Sequence, residues 1–282
     1  MLAALAAAGC TSVKAPAPDT LIAHRGESID APENTMAAFR TAVERGFGFE
    51  CDVYLSKDKE LFTFHDNNLE RTTGGVHSEK CTDASWKDTV SKVNVGGWGK
   101  WKGSKFDPSR PAHLSEVLAL ARDGRFIYVE IKGNCPSWAP YIKAEIDKAK
   151  NVNPGNVLFI TFGKDIAASL KRTMPEYRTY WLTGARKAIP GVGDRRKWPA
   201  ITAEETIDTL RKLGVDGLDV GFDPEIIDAQ FARKVKAAGF SFHVWTIDDL
   251  ETAEKAFAVG AETLTTNRAK GLLEEYRCKK GR

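Results

Sequence analysis

The sequence has little that would knit it with disulfides, span a membrane or draw it to nucleic acid. Its five cysteines among 282 residues include no C-x-x-C pair, which excludes a disulfide-built scaffold and gives no support to a thiolate zinc site or a redox pair. The longest apolar stretch, Met1 to Gly9, is well short of the roughly 20 residues a helix needs to cross a bilayer. Against 41 basic side chains stand 38 acidic ones, with no Lys/Arg run, so no nucleic-acid partner is expected from the field of the chain. The Gly-rich turn of a dinucleotide-binding sheet is missing as well. What is present is a hydrophobic content of 42%, ample for a core and incompatible with disorder as the general state.

The opening MLAALAAAGC and the polar, Pro-containing TSVKAPAPDT after it read as a leader and tether over residues 1–19. The small residues before Cys10 resemble the end of a bacterial lipoprotein signal peptide, which implies export to the cell envelope or periplasm with a lipid anchor at Cys10. The alternative is an N-terminal extension without that role. In an oxidising compartment a bridge would persist, and Cys81 with Cys135 is the expected pair.

From Leu21 onward short β-type runs alternate with helix-type segments. Eight runs stand out: Leu21 to His24, Phe47 to Leu55, Phe126 to Lys132, Val157 to Phe162, Arg178 to Leu182, Gly217 to Val220, Ser241 to Thr246 and Glu262 to Thr265. Between them lie amphipathic helices such as Thr35 to Arg45, with Met36, Phe39 and Val43 on one face. Asn34 precedes that helix as a cap, and Thr202 with Glu205 forms a capping pattern before another. Eight βα units in about 250 residues predict an α/β fold of the (β/α)8 TIM-barrel type, occupying residues 20–282. The aperiodic segment from about 67 to 112, with GGWGKWKG in it, is expected to be an insertion over one barrel face. Trp98 and Trp101 either serve a substrate there or merely pack.

Strand alternation makes a definite statement about the second and third runs. Phe47, Phe49, Cys51, Val53 and Leu55 share one face, while Glu50, Asp52 and Tyr54 share the other. The third repeats the design, with Ile127, Val129 and Ile131 outward and Tyr128, Glu130 and Lys132 toward the lumen. Carboxylates so crowded repel unless compensated. A divalent cation would do this, and all-oxygen ligands indicate Mg²⁺ or Ca²⁺, with Mn²⁺ also compatible, rather than zinc. Pairing with Arg and Lys across strands is the alternative. His24 and His65, each closing an apolar run, fall where barrel active sites are built and are suited to proton transfer. His77, His113 and His243 read as structural or surface residues.

Taken together, His24-Arg25-Gly26, Pro32-Glu33-Asn34-Thr35, Glu50-x-Asp52 and His65-Asp66 resemble the glycerophosphodiester phosphodiesterase family. The resemblance extends through Trp98, Pro111-x-x-Leu114-x-Glu116-Val117-Leu118, Glu130-Ile131-Lys132 and Val244-Trp245-Thr246. It implies a (β/α)8 barrel with an inserted segment after the second strand. It further implies one divalent metal on Glu50, Asp52 and Glu130, acid–base work by His24 and His65, and phosphate binding by Arg25 and Lys132. Glu33 and Asn34 would buttress the first loop, Trp245 would line the pocket near the alcohol, and Asp66 would orient His65. Thr266-Asn267-Arg268-Ala269 departs from the family's Thr-Asp-x-Pro turn at a place that touches no expected catalytic group. The implied reaction releases sn-glycerol 3-phosphate and an alcohol from a small glycerophosphodiester. The rivals are a lysophospholipase D-type or sphingomyelinase D-type enzyme and a non-catalytic barrel that binds phosphodiester polymers.

Overall fold

A computed structural model describes residues 14–188 and 193–281; Cys10 and most of the expected leader lie outside them. The elements run β1 (Leu21–Ala23), α1 (Met36–Glu44), β2 (Gly48–Leu55), β3 (Leu61–Thr63), α2 (Leu114–Leu118), β4 (Ile127–Ile131), α3 (Ala139–Lys148), β5 (Val157–Thr161) and α4 (Lys164–Thr173). They continue with β6 (Arg178–Thr183), α5 (Ala203–Leu213), β7 (Gly217–Gly221), α6 (Ala229–Ala237), β8 (Ser241–Trp245), α7 (Leu250–Val259), β9 (Leu264–Thr266) and α8 (Ala269–Lys279). Among the described residues eight strands are parallel, in the order β1-β9-β8-β7-β6-β5-β4-β2, and the β1–β2 pairing closes them into a barrel. The ninth, β3, runs antiparallel to β2 and stands outside this ring. No helix among the described residues is long and apolar enough to cross a membrane.

The alternation expected of β2 and β4 holds. Phe49, Cys51, Val53, Ile127, Val129 and Ile131 pack with the inner faces of the helices in one apolar shell, while Ile22, Tyr128, Leu158, Ile160, Tyr180 and Leu182 form a second cluster. Helix α5 shows why these segments are helical: Thr202 caps its first turn by accepting from the Glu205 N–H, Ala203, Ile207 and Leu210 form its buried stripe, and Gly214 ends it at φ 69°.

Three expectations are corrected. Thr35, not Asn34, caps α1, its side chain accepting from the Ala38 N–H; Asn34 sits at φ 56° with its amide turned to Asp52. Cys81 and Cys135 are both free thiols. Cys81 is buried and donates to the Asp66 carbonyl, and Cys135 contacts Ser137, so each sulfur has its own local partner. The apolar run that ends at His65 is the antiparallel β3, so His65 reaches the barrel mouth from beside β2 rather than from a barrel strand.

The insertion is a small packed unit. Phe62, Phe64, Leu69, Cys81, Val90, Val93 and Val95 bury one another against Tyr54 of β2. Trp101 is buried, with the Lys100 ammonium 4.4 Å from its ring centre, so this tryptophan packs.

Candidate active site

The site begins with a reversal of the chain after β1. Arg25 and Gly26 follow one another at φ 58° and φ 78°, a left-handed pair that only glycine adopts without strain. The reversal turns the Arg25 N–H onto Glu50 Oε2 at 2.9 Å and the Gly26 N–H onto the Glu50 carbonyl at 3.2 Å. A Cβ on Gly26 would lie 2.6 Å from the backbone carbon of Ala38 in α1. Gly26→Ala is therefore expected to cost about 2–4 kcal/mol of stability through strain and overpacking together. Denaturant unfolding would show it; a midpoint equal to that of the parent would contradict this view of the turn.

Register supplies the acids. β2 and β4 pair with Asp52 directly opposite Glu130, and Glu50, Asp52 and Glu130, all buried, offer one oxygen each within 4.8 Å of one another. Lys132 Nζ lies 2.6 Å from Asp52 Oδ1 and 2.7 Å from Glu130 Oε1, and Arg25 Nε lies 3.4 Å from Asp52 Oδ2. Asn34 closes on the same carboxylate from the other side: its Nδ2 donates to Asp52 Oδ2 at 2.7 Å and its Oδ1 accepts from the Asp52 N–H at 3.1 Å. The cross-strand pairing with Arg and Lys is present, and it leaves the three acids grouped in one place. Two cations against three carboxylates leave one negative charge uncompensated.

The titration tendencies follow this geometry. Burial pushes the Asp52 carboxyl up, but Lys132 and Arg25 outweigh burial and hold it below its ordinary range. Glu50 is pushed well above its ordinary value by burial and by Asp52. Glu130 rises to about 7, burial prevailing over the pull of Lys132. Glu50 Oε1 is buried without a hydrogen-bond partner. An orphaned carboxylate oxygen beside two more acids can accept a cation, so the residues fit a hard divalent ion bound through oxygen.

Each histidine is held from behind by its Nδ1. His24 Nδ1 lies 2.7 Å from Asn267 Oδ1, and the Asn267 amide nitrogen donates to Asp248 Oδ2 at 2.6 Å. The Asn267 backbone N–H donates to Asp248 Oδ1 at 2.8 Å. An amide oxygen only accepts, so His24 carries its proton on Nδ1 and leaves Nε2 free, 3.9 Å from Glu50 Oε2. The turn that departs from the family pattern therefore does touch a catalytic candidate, contrary to expectation. Barrel closure brings together residues 243 positions apart.

His65 Nδ1 lies 2.8 Å from Asp66 Oδ1. Arg71 fixes that carboxylate through Nε at 2.6 Å, binds Glu33 through both terminal nitrogens at 2.9 and 2.7 Å, and lies over the Trp98 ring at 5.1 Å. Glu33 also accepts from Arg25 at 2.9 Å. One chain of charges thus ties the insertion, the first loop and both proposed phosphate-side groups together. Sequence reading missed Arg71, Asn267 and Asp248. Burial lowers the His24 pKa to about 4, with Arg25 adding to it, and burial lowers that of His65 too, against the Asp52 charge.

His24, Arg25, Glu50, His65, Glu130, Lys132 and Trp245 line a single cavity of about 200 Å³. Asp52, Asn34, Glu33 and Asp66 stand behind that lining and hold it. The Trp245 indole packs edge-on to Phe162, with ring centres 5.6 Å apart. The other histidines stay outside: His113 caps α2 and meets Glu60, His77 lies beside Glu79, and His243 is buried against Thr263.

A model of the glycerophosphoryl diester phosphodiesterase family matches residues 24–270. The mouse protein glycerophosphodiester phosphodiesterase 1 is 35% identical over 246 residues, covering 82% of this chain and 72% of its own. A glycerophosphodiester phosphodiesterase of Caldanaerobacter subterraneus is 28% identical over 262 residues, covering 91% and 97%. Among solved structures, a phosphodiesterase of Oleispira antarctica in complex with the product sn-glycerol-3-phosphate superposes with a TM-score of 0.72 at 24% identity, covering 90% of this chain and 95% of that one.

Proposed function

From membership of the glycerophosphoryl diester phosphodiesterase family, to which this chain belongs, we propose that the barrel mouth cleaves glycerophosphodiesters to sn-glycerol 3-phosphate and an alcohol, with a divalent metal and a pair of histidines. The chain is a glycerophosphodiester phosphodiesterase. The observation that carries it is the meeting of both histidines with three buried carboxylates and two cations around one cavity.

Glu50, Asp52 and Glu130 would hold the ion, whose contribution when bound is to draw charge from a phosphoryl oxygen. Arg25 and Lys132 would attract the anionic diester and stabilise the charge that builds on phosphorus-bound oxygen as the attacking oxygen adds. His24, backed by a neutral amide and kept uncharged by burial, is the better candidate to take the proton from the attacking oxygen, water or the glycerol 2-hydroxyl. His65, backed by a carboxylate that stabilises its imidazolium, is suited to protonate the departing alcoholate. The relative from Oleispira, bound to sn-glycerol-3-phosphate, supports the product.

The pKa directions set a pH dependence. Metal binding to Glu130, raised to about 7, and to Glu50, raised well above its ordinary value, must displace protons, so affinity falls as pH drops below about 7, by roughly tenfold per pH unit for each proton displaced. Calorimetric titration at several pH values in buffers of different ionisation heat checks this; an affinity independent of pH would contradict it. The function itself is tested by a panel of glycerophosphocholine, glycerophosphoethanolamine, lysophosphatidylcholine and sphingomyelin. Turnover of the first two is expected, whereas turnover of the lipids alone would make the protein a lipid-directed phospholipase D.

A further inference from the structure

Asp219 is the acid lining the cavity that has no place in the mechanism above. Asp219 lies on β7 between Leu218 and Val220, both of which belong to the apolar shell facing the helices, so its side chain points into the lumen. It is 1% exposed and lines the cavity that holds both histidines. Neither carboxyl oxygen has a hydrogen-bond partner. The same cavity is lined by the apolar Ile160, Phe162, Leu182 and Trp245 and by Thr246 and Thr265, none of which donates to Asp219; the indole N–H of Trp245 is taken by Asp219's own backbone carbonyl at 3.2 Å. A buried acid left without a donor costs free energy in the empty protein, and its position invites a partner that arrives with the ligand.

The chemistry of that partner follows from the group. Burial, reinforced by the negative charge of Glu130, raises the Asp219 carboxyl to about 8, so near neutral pH it is largely a carboxylic acid, with one oxygen donating and the other accepting. A hydroxyl both donates and accepts and satisfies it. An ammonium head group only donates and would call for the ionised form. Two oxygens on one carbon also match two neighbouring hydroxyls, and a cavity of about 200 Å³ suits a three-carbon polyol better than a long acyl chain.

We infer that Asp219 receives the free hydroxyls of the glycerol half of the substrate and selects for diesters whose glycerol carries no acyl chain. This rests on the reading that the phosphoryl group sits at Glu50, Asp52, Glu130 and the histidines. It adds the orientation: glycerol enters the lumen toward β7, and the alcohol points out past Phe162, which is 50% exposed at the rim. An acylated glycerol would leave the buried acid unpaired, and a site built around hydroxyls rejects an analogue lacking them far more strongly than an apolar pocket rejects an added group.

The test is product binding, which needs no turnover. Calorimetry with metal-replenished protein would compare sn-glycerol 3-phosphate with n-propyl phosphate, which lacks both hydroxyls. The parent is expected to prefer the glycerol ester by roughly 100-fold, since each hydrogen bond to a buried polar group is worth about a factor of ten. Asp219→Leu keeps the branched shape of the side chain and removes both oxygens, and should cut that preference at least tenfold, with the volume-matched Asp219→Asn intermediate. Circular dichroism and the thermal midpoint would confirm that each variant folds. An unchanged preference in Asp219→Leu, or equal weakening of both ligands, overturns the inference while leaving the phosphodiesterase reading intact. Failure of the parent to bind either phosphate ester removes that reading and this inference with it.

Discussion

His65→Ala is expected to lower kcat on glycerophosphocholine by roughly 10²–10⁴ with little effect on folding. The ring is about one-third exposed and is attached to the rest of the site only through Asp66, so its loss opens no large cavity in the core. Stability should stay within about 1 kcal/mol of the parent, while KM changes little because Arg25 and Lys132 still attract the diester. The companion variant Asp66→Asn leaves the imidazole in place but removes the charge behind it, and a smaller loss of kcat is expected. Steady-state kinetics with coupled detection of glycerol 3-phosphate decides the matter. Residual activity within tenfold of the parent in His65→Ala would remove this histidine from proton transfer.

Glu50→Gln acts on the other half of the site and in two opposite directions. It removes one of three oxygen ligands, and metal affinity is expected to fall at least about 100-fold, taking activity with it. It also removes a buried charge that Asp52 repels and that burial penalises, so the chelated variant should be more stable than the chelated parent. The amide oxygen can still accept from the Arg25 N–H, so the turn after β1 persists. Calorimetric titration with Mg²⁺ and Ca²⁺, paired with thermal unfolding in chelator, reads both effects. An unchanged titration would deny Glu50 its ligand role. A destabilised apo variant would mean that Glu50 is held by contacts other than those described.

Much of this was legible in the chain because a parallel barrel strand writes its two faces into alternate residues. Glu50, Asp52 and Glu130 emerge from that period alone, and barrel closure then places His24 beside them. The same period applied to Gly217-Leu-Asp-Val-Gly places Asp219 in the lumen, a signal that went unused because the acid has no acidic neighbour two residues away. Arg71 was hidden for a different reason. It lies in an aperiodic insertion, and only the joint need of Glu33 and Asp66 for a counter-ion pointed to it. Asn267 reads in the sequence as a departure that touches nothing, because sequence distance conceals that the last barrel strand lies beside the first. The run before His65 reads as a strand, but three residues carry too little pattern to announce that it runs antiparallel outside the ring.

We propose that the three carboxylates, with a divalent ion, and the two histidines act together on a glycerophosphodiester in this one cavity. The most direct test is release of glycerol 3-phosphate from glycerophosphocholine by chelator-treated protein, before and after Mg²⁺, Ca²⁺ or Mn²⁺ is restored separately. No release is expected in chelator, and recovery with at least one of these ions. Full activity in chelator, or no activity with any ion in a protein that stays folded, would contradict it.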